Sequence, residues 1–351
     1  MSATSPGLKR LATLAGAAGA AAVLAIALVA LEDRGGEAGR LDDAMFPDFT
    51  DAALGAARKI AVASGDETFH AVFDEAAGWR IAEKGGYPAA PGAVRQTLLD
   101  LQRLTRLTTK TDNPDWHDAL GLGAPQDGGN ALSIAVLDAQ DRTIADILIG
   151  ERAGAQRFSA DSLTPKTYVR RPGDDQTYLA EGRLSAPRAL EDWLALDILN
   201  IERKDIAAVD VSPAAGPAYR LARTSAEEDV LTLADMPEGR ELSYPSAGNR
   251  IAFAIANLDV TDVMLRDQLP SAGQSEITYT LFGGAKITVT PFKLEDDSYV
   301  VLSAEGPDAA AINAKAEGWA FGTPIFAYSA FETKLEDLLA PLAEDGAEDA
   351  N

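Results

Sequence analysis

An internal repeat limits the fold of this chain more than any other feature. Tyr87-Pro88-Ala89-Ala90-Pro91-Gly92-Ala93-Val94 and Tyr244-Pro245-Ser246-Ala247-Gly248-Asn249-Arg250-Ile251 lie 157 residues apart. In both, a Tyr-Pro leads into a helical pattern. Val94, Leu98 and Leu101 share the spacing of Ile251, Ile255 and Leu258. A four-then-three spacing puts these side chains on one helix face. The flanks match in order. Ile60-Ala61-Val62, Phe69-His70-Ala71-Val72-Phe73 and Trp79-Arg80-Ile81 precede the first helix. Val209-Asp210-Val211, Tyr219-Arg220-Leu221 and Val230-Leu231-Thr232-Leu233 precede the second. Strands with period-two alternation follow each: residues 132–137, 143–149 and 167–170 in one half, 277–281, 286–290 and 298–302 in the other. Each half then ends on a helical pattern, at 189–199 and 331–339. The expectation is an α+β protein with two repeated modules, each an antiparallel sheet plus helices. The period is too long for a solenoid unit.

Residues 11–31 carry no charge, and as a helix they span roughly the 30 Å hydrocarbon core of a bilayer. Lys9 and Arg10 stand just before this run, and Glu32, Asp33 and Arg34 follow it. The positive-inside rule then holds the short N-terminus in the cytoplasm and exports the rest. A cleaved signal peptide is the rival reading. The run exceeds a usual h-region, and Leu28 stands where cleavage after Ala30 wants a small side chain. The expected order is a cytoplasmic N-terminus (1–10), a transmembrane anchor (11–31) and a linker (32–57). The first α+β module (58–200), the second (201–340) and an acidic tail (341–351) follow. The expected location is the bacterial inner membrane, single-pass, with the bulk of the chain periplasmic.

Composition removes several classes of function. The formal charge is −23, with 31 Lys and Arg against 54 Asp and Glu. Such a surface repels phosphate backbones, which excludes nucleic acid as a partner. With no cysteine there is no disulfide, zinc-thiolate site, iron–sulfur cluster or Cys nucleophile. With only His70 and His117, a His-rich metal centre is excluded too.

No residue pattern assembles a catalytic, cofactor or metal site. Trp116-His117-Asp118 sets an imidazole beside a carboxylate, but no Gly-x-Ser-x-Gly elbow accompanies it. His117 therefore reads as an exposed loop or helix-start residue. Gly150-Glu151-Arg152-Ala153-Gly154 lacks the Lys and Ser/Thr of a P-loop. Gly121-Leu122-Gly123 lacks the third glycine of a dinucleotide turn. Glu295-Asp296-Asp297 reads as a hairpin turn and does not fit a calcium loop. The densest basic spot is Arg170-Arg171 beside Tyr168, with Arg152 and Arg157 nearby. It is either a docking patch for an acidic partner or ligand, or a set of arginines paired internally with the chain's many carboxylates.

Further motifs carry a family resemblance. They are Trp79 after a hairpin, the helix at 94–107, Leu120-Gly121-Leu122 with Pro125, and Ile149-Gly150 closing a hairpin. Tyr168-Val169-Arg170 before Thr177-Tyr178-Leu179, then Trp319, Phe326 and Leu335-Glu336-Asp337-Leu338-Leu339, complete the set. In this ordered set the chain resembles the DUF4340 family of bacterial envelope proteins over most of residues 58–340. The resemblance implies a single-pass membrane protein with a repeated extracytoplasmic α+β region. It also implies company: an ABC permease with its ATPase, and a GldG-like membrane protein of the gliding-motility auxiliary type. It brings no catalytic residues and no cofactor.

The functional expectation is a non-enzymatic, membrane-anchored accessory or scaffold protein of an ABC-type transport complex. The alternatives are an envelope-acting enzyme that uses carboxylates, and a solute- or polysaccharide-binding module. The enzyme needs a concave pocket with two close carboxylates of raised pKa. The binding module needs a cleft lined by Trp or Tyr. The scaffold needs an exposed apolar patch or sheet edge.

Overall fold

The computed structural model describes residues 40–153, 165–270 and 274–341. The expected anchor at 11–31, Lys9, Arg10, Arg157 and nearly all of the acidic tail lie outside the described residues. Among the described residues, no helix is long and apolar enough to cross a membrane. The chain divides into two units. One runs up to Glu83 and takes Pro88–Trp193; the other takes Lys84–Tyr87 and everything from Leu194 on. Each is built on one antiparallel sheet, so the mixed α+β expectation holds.

The first sheet comprises β1 (Arg40–Ala44), β2 (Lys59–Ser64), β3 (Glu67–Asp74), β4 (Gly78–Ile81) and β5 (Tyr87–Pro88). It continues with β6 (Thr105–Thr109), β7 (Leu132–Leu137), β8 (Thr143–Arg152), β9 (Lys166–Arg170) and β10 (Thr177–Glu181). Their order is β1-β6-β10-β9-β8-β7-β2-β3-β4-β5. Residues 40–56, inside the stretch read as a linker, form β1 and helix α1 (Asp51–Ala56). The apolar cluster of that stretch, Met45, Phe46 and Phe49, is buried.

Register explains which face is the core. Ile60 pairs with Ala71 and Val136, and Val62 with Phe69 and Ile134. Ile134 pairs in turn with Ile147. All of these are buried on one face. Helix α2 (Pro91–Arg103) starts on a proline, whose missing N–H costs nothing at that position. It buries Val94, Leu98 and Leu101, the stripe read from the sequence. Trp193 is fully buried, edge-on to Phe69 at 5.7 Å, with its indole N–H donating to Pro187 O.

On the opposite face, a turn-rich segment packs Leu120, Leu122, Ala124 and Ala131 over Leu148, with Tyr168 beside them. Glycine makes this fit possible. A Cβ on Gly129 would come within 2.1 Å of the Gly123 backbone, and one on Gly150 within 2.3 Å of Leu120 O. The Gly121-Leu122-Gly123 run is thus a site of close backbone packing.

The second unit's sheet comprises β11 (Ile206–Ser212), β12 (Tyr219–Ala222), β13 (Thr232–Leu233) and β14 (Asp262–Leu265). It also holds β15 (Glu276–Leu281), β16 (Lys286–Leu294), β17 (Asp297–Glu305) and β18 (Trp319–Gly322). The order is β13-β12-β11-β15-β16-β17-β18-β14. Its helices are α3 (Asn249–Ala252), α4 (Ala309–Ala316), α5 (Ile325–Phe331) and α6 (Leu335–Leu338).

Four expected helices differ. The one expected at 94–107 stops at Arg103, and Thr105–Thr109 is the strand β6. The second repeat helix shrinks to α3 and a 3-10 turn at Ile255–Asn257. Ile251 to Ile255 are buried without a break, so no polar face exists to carry a longer amphipathic helix. The helix expected at 189–199 is a 3-10 turn, Glu191–Trp193, followed by irregular chain. Trp193 O accepts the Ala90 N–H at 2.7 Å instead of continuing a helix. Of the helix expected at 331–339 only α6 (Leu335–Leu338) forms; α5 has already ended at Phe331, and between them the Thr333 hydroxyl donates to Ala330 O. Thr333 O accepts the Tyr219 hydroxyl at 2.7 Å.

A single buried cation organises one corner of the second unit. Arg223 donates to Ile206 O at 2.8 Å and also to the carbonyls of Glu228 and Arg203. It lies over the rings of Phe253 and Phe282.

Candidate functional site

The first unit carries an apolar groove of about 590 Å³ between α1, α2 and the β3–β4 hairpin. Leu54, Phe73, Trp79, Val94, Leu98 and Leu99 line it. Val94 and Leu98 form its buried floor, while Leu54, Phe73, Trp79 and Leu99 are half-buried walls. The groove is therefore open to solvent. Its construction follows from local sequence. Thr50 caps α1 by accepting the Ala53 N–H. The α2 stripe that faces the sheet leaves Arg95 and Leu99 on the adjoining stripe. Phe73 and Trp79 pair across β3 and β4 and meet edge-on at 5.5 Å.

Two arginines belong to the groove. Arg58 lies 5.0 Å from the Phe73 ring centre and donates to Gly55 O and Ala57 O, each at 2.9 Å. Arg95 is exposed on α2. Among the described residues, no Asp or Glu lines the groove. In a chain of formal charge −23 that is a local reversal of sign.

A second cleft, of about 650 Å³, lies where β8 outruns β9. The β9 pairing reaches only Leu148 on that side, so Thr143 to Asp146 line the cleft with Phe46 and Arg171. Burial pushes the Asp146 carboxyl above the usual Asp range, partly offset by the Ile147 N–H. Asp138 moves the other way: the Arg142 guanidinium and two backbone N–H groups outweigh desolvation and hold it low. Those bonds are the closing bonds of the β7–β8 turn, with Arg142 at 2.7 to 2.8 Å. Asp138 is thus committed to its turn and is not poised as a second acid or base.

The two histidines are placed differently from one another. His70 lies on the open face of the sheet, as its alternation with Phe69 and Ala71 predicts. Its Nδ1 donates to Glu83 Oε1 at 2.7 Å, and its backbone N–H to Glu83 Oε2 at 2.8 Å. Burial alone would raise Glu83; the bonds from His70 outweigh it and lower the carboxyl. Register puts His70, Ala61, Ala135 and Asp146 in one row. Three strand spacings of about 4.8 Å then separate His70 from Asp146, too far for shared proton transfer. His117, expected on the surface, is only 6% exposed. Its Nε2 donates to Asp175 O at 2.9 Å, which ties the 114–120 turns to the β9–β10 loop.

The basic spot of the sequence does not assemble into one described patch. Arg170 donates to Leu122 O and Asp174 O. Arg171 donates to Met45 O at 2.7 Å and lies over the Phe46 ring. Both fasten backbone. Arg152 pairs opposite Thr167, at the far end of β9 from Arg170, and Arg157 lies outside the described residues. Sequence reading missed Arg58, Arg95 and Leu99, because α1 lay in the expected linker and only packing brings it to α2. Among the described residues, no cluster of His, Asp and Glu is arranged to hold a metal ion.

No curated protein and no solved structure matches the chain. A family model described as Domain of unknown function (DUF4340) matches residues 79–277. The match starts at Trp79 in β4, ends in β15 and so draws on both sheets. Trp319, Phe326 and the 335–339 run lie beyond it. With more than half of its length matched, the chain belongs to the DUF4340 family.

Proposed function

We propose that this protein is a non-enzymatic, membrane-anchored accessory or scaffold protein that docks a partner through its first unit. The observation that carries the reading is the open, carboxylate-free apolar groove over α2. An apolar surface of this kind in a strongly acidic protein is a recognition surface. The enzyme alternative has less behind it: the raised Asp146 stands with a turn-bound Asp138 and a distant His70. The solute-binding alternative has Trp79 at one wall, but the charged side chains of the groove are two arginines, one of which, Arg58, is turned to the carbonyls of Gly55 and Ala57.

The rest of the proposal comes from sequence and family. Residues 11–31 anchor the chain, Lys9 and Arg10 hold the N-terminus in the cytoplasm, and the two repeated modules face the periplasm. The partners are an ABC permease with its ATPase and a GldG-like membrane protein. The test is a mild-detergent pull-down from native membranes through a C-terminal tag, with mass spectrometry. Recovery of a permease and ATPase at comparable stoichiometry supports the proposal. Recovery of the intact protein alone overturns it. Because the chain has no cysteine, a single Ser2→Cys or Ser329→Cys variant reports topology by membrane-impermeant thiol labelling. Labelling of Ser2→Cys in intact spheroplasts would overturn the orientation.

A further inference from the structure

We propose that the α1–α2 groove receives one face of an acidic amphipathic helix from a partner protein. This rests on the accessory reading above and names the chemistry of the partner. Three observations point to such an occupant.

The first is charge. Arg58 and Arg95 are the charged side chains of the groove, in a chain with 54 acidic residues. A partner bearing carboxylates meets attraction here and repulsion over most of the remaining surface. That contrast selects the site and the orientation of docking.

The second is length. The α2 wall runs from Pro91 to Leu99. At 1.5 Å per residue this is about 12 Å, a little over two turns. It matches a partner helix that presents apolar residues at i, i+4 and i+7. The α2 wall itself has this spacing, at Pro91, Val94 or Arg95, and Leu98 or Leu99, so ridges on one helix meet grooves on the other.

The third is shape. The walls are half-buried and the groove is open to solvent along them. A helix closes an open groove with its own backbone, which is already hydrogen-bonded. A lipid tail would leave one side of its length in water. An extended peptide would need a free strand edge, and the residues lining the groove come from helices, loops and the paired strands β3 and β4.

The experiment uses the full chain in nanodiscs of zwitterionic lipid, because detergent would compete for an apolar groove. The probe is a fluorescein-labelled helical peptide of about four turns, with Leu at i, i+4 and i+7 and Glu on the flanks. Its counterpart carries Lys for Glu. The expected result is saturable binding of the Glu peptide, weaker in high salt, with no binding of the Lys peptide. Arg95→Glu weakens binding by about tenfold, and the charge-matched control Lys286→Glu leaves it unchanged. Arg95 and Lys286 are both exposed, so neither change threatens folding. Leu99→Glu removes binding. Equal binding of both peptides, or indifference to Arg95→Glu, overturns the proposal. So does oleate that displaces the peptide from the wild type and binds Arg95→Glu as well, since the groove would then be a lipid site. If the peptide does not bind while native partners still co-purify, this inference falls and the accessory reading stands. If the peptide binds but nothing co-purifies, the accessory reading falls and the groove assignment stands.

Discussion

The Tyr87 ring stands edge-on to Trp319, with centroids 4.9 Å apart and planes at 86°. Its hydroxyl donates to Ala195 O at 3.0 Å, and burial pushes its pKa to about 12. Lys84–Tyr87 thus belongs to the second unit, with Tyr87 in its core, although the chain on either side belongs to the first. Tyr244, the repeat equivalent of Tyr87, is 57% exposed. Equivalent positions of the repeat have therefore diverged from core to surface. Tyr87→Ala is expected to cost about 3–5 kcal/mol. Tyr244→Ala is expected to stay within about 0.5 kcal/mol of wild type. Urea denaturation of both variants checks the pair.

The backbone contact between Gly123 and Gly129 leaves no room for a methyl group, since a Cβ on Gly129 would overlap Gly123 C at 2.1 Å. Gly129→Ala must therefore push apart the turn that accepts Gly129 N–H at Ala124 O and Ala131 N–H at Gly123 O. A loss of about 2 kcal/mol is expected, in the range of overpacking. Gly128→Ala is the comparison: its Cβ would meet nothing within 4 Å, and its cost comes only from φ of +78°. The larger melting-temperature drop should belong to Gly129→Ala.

Arg223 replaces several weak contacts by one cation. Arg223→Ala removes the side-chain donors to the carbonyls of Ile206, Glu228 and Arg203, the last of which keeps the Ile206 N–H, and takes one cation off the Phe253 ring. The expected cost is about 3 kcal/mol. Arg223→Lys should recover only part of it, because an ammonium cannot span carbonyls in fork geometry. Chemical denaturation of the two variants measures the difference.

Two carboxylates of the first unit predict opposite pH effects. Asp146 is raised by burial, so its stability contribution is complete below the ordinary Asp value and is lost as pH rises through its folded value. Asp146→Asn should therefore be more stable than wild type at pH 7, by less than about 1 kcal/mol given its partial exposure, and the gap should close near pH 3.

Glu83 has the reverse sign. Its pKa is lowered because the His70 bonds outweigh burial, so its contribution is present above the ordinary Glu value and is lost as pH falls through its folded value. Glu83→Gln should be less stable than wild type at pH 7 by under about 1 kcal/mol, with the two converging in acid. Thermal melts across the pH range read both variants.

Much of the architecture is legible residue by residue. Alternation in Leu132–Leu137 is strict enough to place the strand and its buried face, whereas Ile147-Leu148-Ile149 in Thr143–Arg152 is buried on both faces. The stripe Val94, Leu98, Leu101 marks α2 because each of its turns has a wet and a dry side. The same stripe fails at Ile251 and Ile255, where neighbours Ala252, Phe253 and Ala254 are buried too. Periodicity detects contrast between faces, and a segment buried all round has none. His117 is misread for a related reason: polar neighbours suggest the surface, but Asp175 O, 58 residues away, accepts its ring N–H.

What sequence by itself determined here is therefore local or compositional: the α+β class, the positions of most strands, the first repeat helix, the family, and the exclusion of cysteine chemistry. These follow from side-chain periodicity and charge, which are properties of neighbouring residues. Tertiary structure alone decided that Arg170 and Arg171 clasp backbone, that Tyr87 serves the second unit's core, and that Arg58, Trp79 and Arg95 share one groove. The physical reason is that hydrogen bonds and burial join residues far apart in the chain. Which partner closes a bond is set by packing and is not written in the spacing of either residue.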